Sequence, residues 1–373
     1  MPEPRRKRRR RWGRTLGLAL LIVLFGLLVP LVRAAIECQI LADVPPVQRQ
    51  LPPETADLPG YQRSQDQGYL TVPEWYIVFN ADEYAAFIAD NPPSQFPYFR
   101  AIGQFWQSYY DVCGVVGGEY PFNGSYQMIL AIIGTSFTVE NGLRGSYEKT
   151  IGRLAETLSS GEPTEEELYA RQVAKAYGDF IHTIPWFRFP FSEKFWGLWQ
   201  ETSLWGPDPI RKWERKMALS IEYGGKALYA ALLRGGADAT FAPIDQETML
   251  RASGITEAVL AAEPELRVVK PLSDGLVIAA VPRYEGFTQI IPRLAQQGVR
   301  FSDIAAIDEI LITIIAPETW TYDLDSGEVI FTQEILSRPD HNRIAINVPV
   351  TDLHTVLNEL TAQGIELEHI YDY

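Results

Sequence analysis

Residues 84–107 read YAAFIADNPPSQFPYFRAIGQFWQ, and residues 177–200 read YGDFIHTIPWFRFPFSEKFWGLWQ. A shift of 93 lays Tyr84 on Tyr177, Phe87 on Phe180, Ile88 on Ile181 and Pro92 on Pro185. The same shift lays Phe96 on Phe189, Pro97 on Pro190, Trp106 on Trp199 and Gln107 on Gln200. Eight ungapped identities that include a tryptophan and two prolines mark an internal duplication. Further along, the shift falls to 82. There Thr138-Val-Glu-x-Gly-x-Arg-x-x-Tyr147 answers Ser220-Ile-Glu-x-Gly-x-Lys-x-x-Tyr229.

Each repeat predicts three helical pieces around an extended Phe-Pro step. In the first, Asn80 is placed to cap a helix through Ala89, which Pro92-Pro93 ends. Helices near 98–112 and 126–158 follow. In the second, Thr164 caps a helix whose first turn carries Glu165 to Glu167, favourable at the positive end of the helix dipole. Short and long helices are expected at 193–202 and 209–233. Two such units predict face-to-face packing about a pseudo-twofold axis, with Trp106 and Trp199 contributing to the shared aromatic interface.

Residues 237–264 read as a connector with short helices at 248–252 and 257–262. The hydrophobic period then changes from helix to strand. Strands are predicted at 266–272, 276–281, 309–316, 319–324, 329–335, 343–348 and 365–371, with helices at 285–297 and 352–363. Residues 265–373 thus predict a ferredoxin-like α+β domain with an added hairpin. That superfold carries too many functions to indicate one.

On the other side of the repeats, residues 43–70 hold Pro45, Pro46, Pro52, Pro53 and Pro59 and few large apolar groups. Residues 34–70 therefore read as a Pro-rich spacer that holds the body off a bilayer. Residues 15–32, TLGLALLIVLFGLLVPLV, carry no charge, and as a helix they rise about 27 Å, enough for a hydrocarbon core. Eight basic residues precede them within residues 1–14. These predict a cytoplasmic basic tip (1–14), a transmembrane anchor (15–33) in the cytoplasmic inner membrane, and a body outside. A cleaved signal peptide is the rival reading, since Ala34-Ala35 offer small residues, but Arg33 stands where a small neutral one is preferred. Cys38 and Cys113 are a pair that an oxidising compartment would permit.

The whole chain of 373 residues is a multi-domain α+β protein by this reading. It comprises an N-terminal transmembrane helix, a duplicated all-α domain (71–236, repeats near 71–158 and 164–236) and the C-terminal α+β domain. Its 46% hydrophobic and 21% charged residues exclude a chain disordered throughout and a many-span transporter. The net charge of −14 conceals an asymmetry: after Arg33, 24 basic residues face 46 acidic ones. An acidic body on a basic tip excludes nucleic acid as partner, because phosphate binding needs a basic face on the folded domain.

The sharpest polar feature is a repeated triad. Glu140, Arg144 and Tyr147 lie at i, i+4 and i+7, and Glu222, Lys226 and Tyr229 repeat the pattern, so each set shares a helix face. Two such clusters near a twofold axis would make a polar binding site in an aromatic cavity. The competing reading is structural: each glutamate pairs with the cation one turn on. Metal is not expected, for neither repeat has the Glu-x-x-His spacing of a dimetal centre, and His341, His354 and His369 form no ligand set. No nucleotide, hydrolase, metalloprotease or redox motif occurs, and no cofactor is implied. The aromatic stretches around Trp186 and Trp196 fit either core packing or a bilayer interface. Function is accordingly expected to be that of a membrane-anchored, extracytoplasmic partner-binding or accessory protein rather than an enzyme. A small-molecule or lipid-binding site between the repeats, or an unfamiliar enzyme, is the alternative.

Overall fold

A computed structural model describes residues 25–45, 53–55, 57–237 and 246–372. The protein is α+β, with a helical N-terminal half and a C-terminal region of two antiparallel sheets. The basic tip and the first ten residues of the apolar run lie outside the described residues. Among the described residues no helix is long and apolar enough to cross a membrane.

Helix α1 occupies 25–37 and is fastened to the body at its C-terminal end. The helices that follow are α2 (Gln65–Leu70), α3 (Val72–Asp90), α4 (Tyr98–Val116), α5 (Gly124–Tyr147) and α6 (Arg153–Thr157). A single π turn, Glu148–Gly152, joins the last two. The second repeat contributes α7 (Glu165–Ile181), α8 (Phe191–Glu201) and α9 (Pro209–Ala237). Thr164 closes a full capping box with Glu167 at the start of α7. Asn80, expected as a cap, is buried in the middle of α3, because the largely apolar stretch Val72–Phe79 carries the helix a further two turns back.

The duplication is written into the packing. Tyr84, Phe87, Phe96 and Tyr98 form edge-on ring pairs at 5.0–5.4 Å. Their counterparts Tyr177, Phe180, Phe189 and Phe191 do the same at 4.9–5.2 Å. The Trp106 indole donates to the Thr138 hydroxyl at 2.8 Å, and the Trp199 indole donates to the Ser220 hydroxyl at 3.0 Å. Both tryptophans thus tie the short helix to the long helix within their own repeat, correcting their expected place between the repeats. What joins the repeats is α3 lying on α7, so close that a Cβ at Gly178 would meet the Asp82 carboxylate at 2.5 Å.

The C-terminal half contains β1 (Glu247–Ser253), α10 (Glu257–Ala262), β2 (Arg267–Pro271), β3 (Leu276–Pro282), α11 (Glu285–Gln296) and β4 (Arg300–Ile304). After these come β5 (Glu309–Pro317), β6 (Glu328–Ile335), β7 (Arg338–Pro349), α12 (Leu353–Ala362) and β8 (Glu366–Ile370). Two sheets form, β2-β3-β1-β4 and β6-β7-β5-β8, each wholly antiparallel and each following the same order of first, second, third and fourth strands. One sandwich with an added hairpin was expected. The structure instead divides the strands between two sheets, and residues 319–324 form no strand. Residues 248–252, read as a short connector helix, belong to the central strand β1, whose inward positions are Thr248, Leu250 and Ala252.

Helices α11 and α12 pack together and share one apolar core with both sheets, through Phe287, Ile291 and Leu294 of α11 and Val356, Leu357 and Leu360 of α12. The outer face of the second sheet then packs on the first helical repeat, where Leu311, Phe331, Leu336 and Ala345 join the aromatic core of α3 and α4. Arg343 crosses this seam fully buried, bonding Glu83 at 2.8 Å and Glu368 at 2.7 Å. The outer face of the first sheet is covered by chain that the composition marked as spacer. Tyr61 is 1% exposed and hydrogen-bonded to Asp303, the Arg63 amide donates to the Ala305 carbonyl, and Lys270 bonds Asp57 at 3.0 Å. Residues 57–64 are therefore a packed strap and not a free tether.

Candidate functional site

The site is built where α5 and α9 run past each other above α3 and α7. Each long helix presents its Glu, cation and Tyr at one-turn spacing, so all six side chains face the gap between repeats. They meet across it in exchanged pairs. Lys226 bonds Glu140 of the other repeat at 2.7 Å, and Arg144 reaches Glu222 of the other repeat at 3.4 Å. Lys226 also touches its own Glu222 at 3.4 Å. The expected pairing within each helix is thus present in one repeat, and the shortest of these contacts runs between repeats.

Repeat-related tyrosines back the two cations. The Arg144 guanidinium lies 4.0 Å above the Tyr84 ring and donates to its hydroxyl at 2.6 Å. Lys226 stands 5.4 Å from the ring of Tyr177, the counterpart of Tyr84. Such stacking adds attraction for a cation that has left water. Tyr147 and Tyr229 point outward along the same gap: Tyr147 donates to Glu214 at 2.7 Å, and Tyr229 meets Ser136 at 3.2 Å. Both therefore bridge to the opposite long helix.

Electrostatics follow from this enclosure. Burial opposes ionisation of Glu222, but Arg144 and Lys226 outweigh it and hold the carboxyl below its usual range. Burial likewise opposes the charge on Lys226, and Glu140 with Glu222 outweighs it, raising the ammonium above its ordinary value. Burial pushes the Tyr177 phenol up to about 12. Arg144, Glu222 and Lys226 are thereby held in their charged forms.

The cleft between them measures about 90 Å³ and is lined by Asn80, Tyr84, Glu140, Arg144, Tyr177, Glu222 and Lys226, among others. That is room for about three waters, against the several hundred Å³ of ordinary ligand pockets. Among the described residues no group of three His, Cys, Asp or Glu side chains could hold a metal ion. The histidines disperse: His369 is buried against Thr288 and stacked on Trp75 at 3.7 Å, whereas His354 lies beside Thr355 and His341 beside Asp340.

A second charged cluster, unforeseen from the sequence, lies at the base of α9. Arg211, Lys212, Arg215 and Lys216 are at most 2% exposed. Lys216 bonds the Thr202 hydroxyl at 2.6 Å and Glu166 at 3.2 Å, and Lys212 bonds Glu165 at 2.7 Å and Glu166 at 3.0 Å. Arg211 bonds Glu167 at 2.6 Å, and Arg215 forks onto Glu148 at 2.8 and 3.1 Å. The acidic first turn of α7 therefore serves as the acceptor set for the basic face of α9, in addition to its role at the helix terminus. The signal was available: these basic positions align with the apolar Ile129, Leu130, Ile133 and with Gly134 in the first repeat. A basic face at core-equivalent positions has to find acid partners.

No family model, curated protein or solved structure matches this chain.

Proposed function

We propose that this is a single-pass, membrane-anchored extracytoplasmic protein that serves as a partner-binding or accessory component of a membrane complex. Residues 15–33 are its anchor in the inner membrane and residues 1–14 its cytoplasmic tip. The observation that carries the reading is the clamp between α1 and α4. Cys38 is joined to Cys113 in a disulfide spanning 75 residues, with Cα atoms 4.4 Å apart. One helical turn back, the Arg33 guanidinium lies 4.1 Å over the Tyr110 ring, whose hydroxyl donates to the Pro30 carbonyl at 3.3 Å. Pro30 belongs to the uncharged run itself, so the body is seated at the end of the anchor. A disulfide in that place suits an oxidising, extracytoplasmic compartment. Each sheet with its helices further reads as a ferredoxin-like unit, the second with a loop in place of its first crossover helix.

The test is site-specific photocrosslinking of the full chain in its native membranes, scanning exposed positions such as Phe122 and Trp205. Discrete adducts with one membrane protein are expected. A chain that yields no adduct from any exposed position contradicts the accessory role.

A second reading, a small-molecule, lipid or substrate site at Glu140, Arg144, Tyr147, Glu222, Lys226 and Tyr229, draws on both glutamates lining one cleft. Their pairing and the small volume favour ion pairs that hold the repeats together. Glu140→Ala and Glu222→Ala distinguish the two: lost stability supports the structural role, and a ligand lost from an intact fold supports the site.

A further inference from the structure

We propose that the exposed face shared by α5 and α9 lies in the headgroup and acyl boundary of the lipid bilayer, so that the helical unit rests on the membrane; this builds on the anchored reading above. On α5 the exposed apolar side chains include Ile132, Val139 and Leu143, at 54%, 40% and 70%. On α9 they include Ile221, Leu228 and Leu232, at 72%, 67% and 69%. Both sets have spacings of seven and four, which puts each on one stripe of its helix. Val139 and Ile221 are repeat counterparts, and each immediately precedes a glutamate of the cross-paired cleft. The stripes therefore stand at the same rotation from the gap, and the exchanged contacts Ser136–Tyr229, Glu140–Lys226 and Arg144–Glu222 run the two helices in opposite directions, which turns both stripes to the same outer side.

Three observations make lipid the occupant. The clamp at Pro30 and Arg33 holds the body within two residues of Val32, the end of the uncharged run, which is about 3 Å of helix rise. A body held there touches the bilayer by construction. The chain after Arg33 has 24 basic and 46 acidic residues, so attraction to anionic headgroups cannot seat it, and apolar contact has to. Residues 124–139 carry no charge, and Trp196 and Trp205, at 61% and 78% exposed, supply the side chains that favour a membrane interface.

The experiment uses the full chain reconstituted in phosphatidylcholine–phosphatidylglycerol vesicles. Leu143→Cys, Leu228→Cys and, as control on α7, Lys175→Cys are each labelled with bimane, and folding is checked by thermal unfolding. Lys175 is a fair control because its side chain is 76% exposed. The expected result is quenching of both stripe positions by nitroxides on the lipid acyl chains, with protection from aqueous iodide, and the reverse at position 175. Iodide quenching at 143 and 228 in vesicle-bound protein overturns the lipid contact and leaves the anchor standing. Protection from both quenchers places a protein on the face and also overturns it. A chain that fails to float with the vesicles defeats the anchored reading, and this inference with it.

Discussion

In the first repeat the long helix α5 passes beneath Trp106 with Gly134, whereas in the second α9 passes Trp199 with Lys216, its exact counterpart in the alignment. A Cβ on Gly134 would meet the Phe105 ring at 2.5 Å and Trp106 at 2.9 Å. At the matching place Lys216 is 0% exposed and stands 5.3 Å from the Trp199 ring. Around it, Leu130 and Ile133 of the first repeat are replaced by Lys212 and Arg215. Yet the aromatic clusters and the indole-to-hydroxyl bonds coincide. The Tyr, Phe, Pro and Trp positions therefore define the unit, and its base accepts either an apolar or a paired ionic filling.

Attacking the ionic filling from one side gives the largest expected effect. Arg215→Ala leaves Glu148 buried without its partner and should cost about 3–5 kcal/mol, seen as a lower urea midpoint of the full chain. Replacing Arg215 and Glu148 together by apolar residues should recover much of that loss, since an apolar filling of similar volume serves the first repeat. Crowding the apolar side comes next. Gly134→Ala should destabilise by about 1–3 kcal/mol through overpacking against the two rings. Gly225→Ala in α9, where nothing lies within 4 Å, should be neutral or slightly stabilising in the same assay.

The matched indole bonds supply a smaller and symmetrical test. Ser220→Ala and Thr138→Ala should each cost about 0.5–1.5 kcal/mol, and unequal losses would show that the repeats are less alike than their geometry. The smallest effect concerns an asymmetry. His182, whose counterpart is Ala89, bonds Asp82 at 2.7 Å and Glu285 at 3.6 Å, tying both repeats to α11. These carboxylates raise the imidazole to about 10. A raised value means that its contribution is complete below an unfolded value near 6.5 and is lost as pH rises toward 10. The stability gap between the native chain and His182→Gln, about 1 kcal/mol or less, should therefore shrink across that window in unfolding curves.

Much of the helical half was legible because a duplication is a pattern of identity and needs no propensity. The Phe-Pro steps and the convergence of Glu140, Arg144, Glu222 and Lys226 follow from it, while the Thr164 cap is legible from its own acidic first turn. The buried base of α9 was not legible from α9 alone, since Arg-Lys-x-Glu-Arg-Lys reads as a solvated face until its apolar counterparts are set beside it. Strand β1 was missed for a different reason. Its inward side chains are Thr248, Leu250 and Ala252, too small and mixed to show a period of two. The strap at 57–64 escaped because its proline content reported a lack of helix and carried no information about where Tyr61 would be buried.

Cys38 and Cys113 fasten α1 to the body, and the proposed anchor and extracytoplasmic location require that this bond be present in the cell. Trapping thiols with an alkylating reagent in intact cells, followed by mass analysis of the full chain, tests it most directly. Both cysteines should escape alkylation until a reductant is added. Two freely alkylated thiols in the untreated, membrane-bound chain would contradict it.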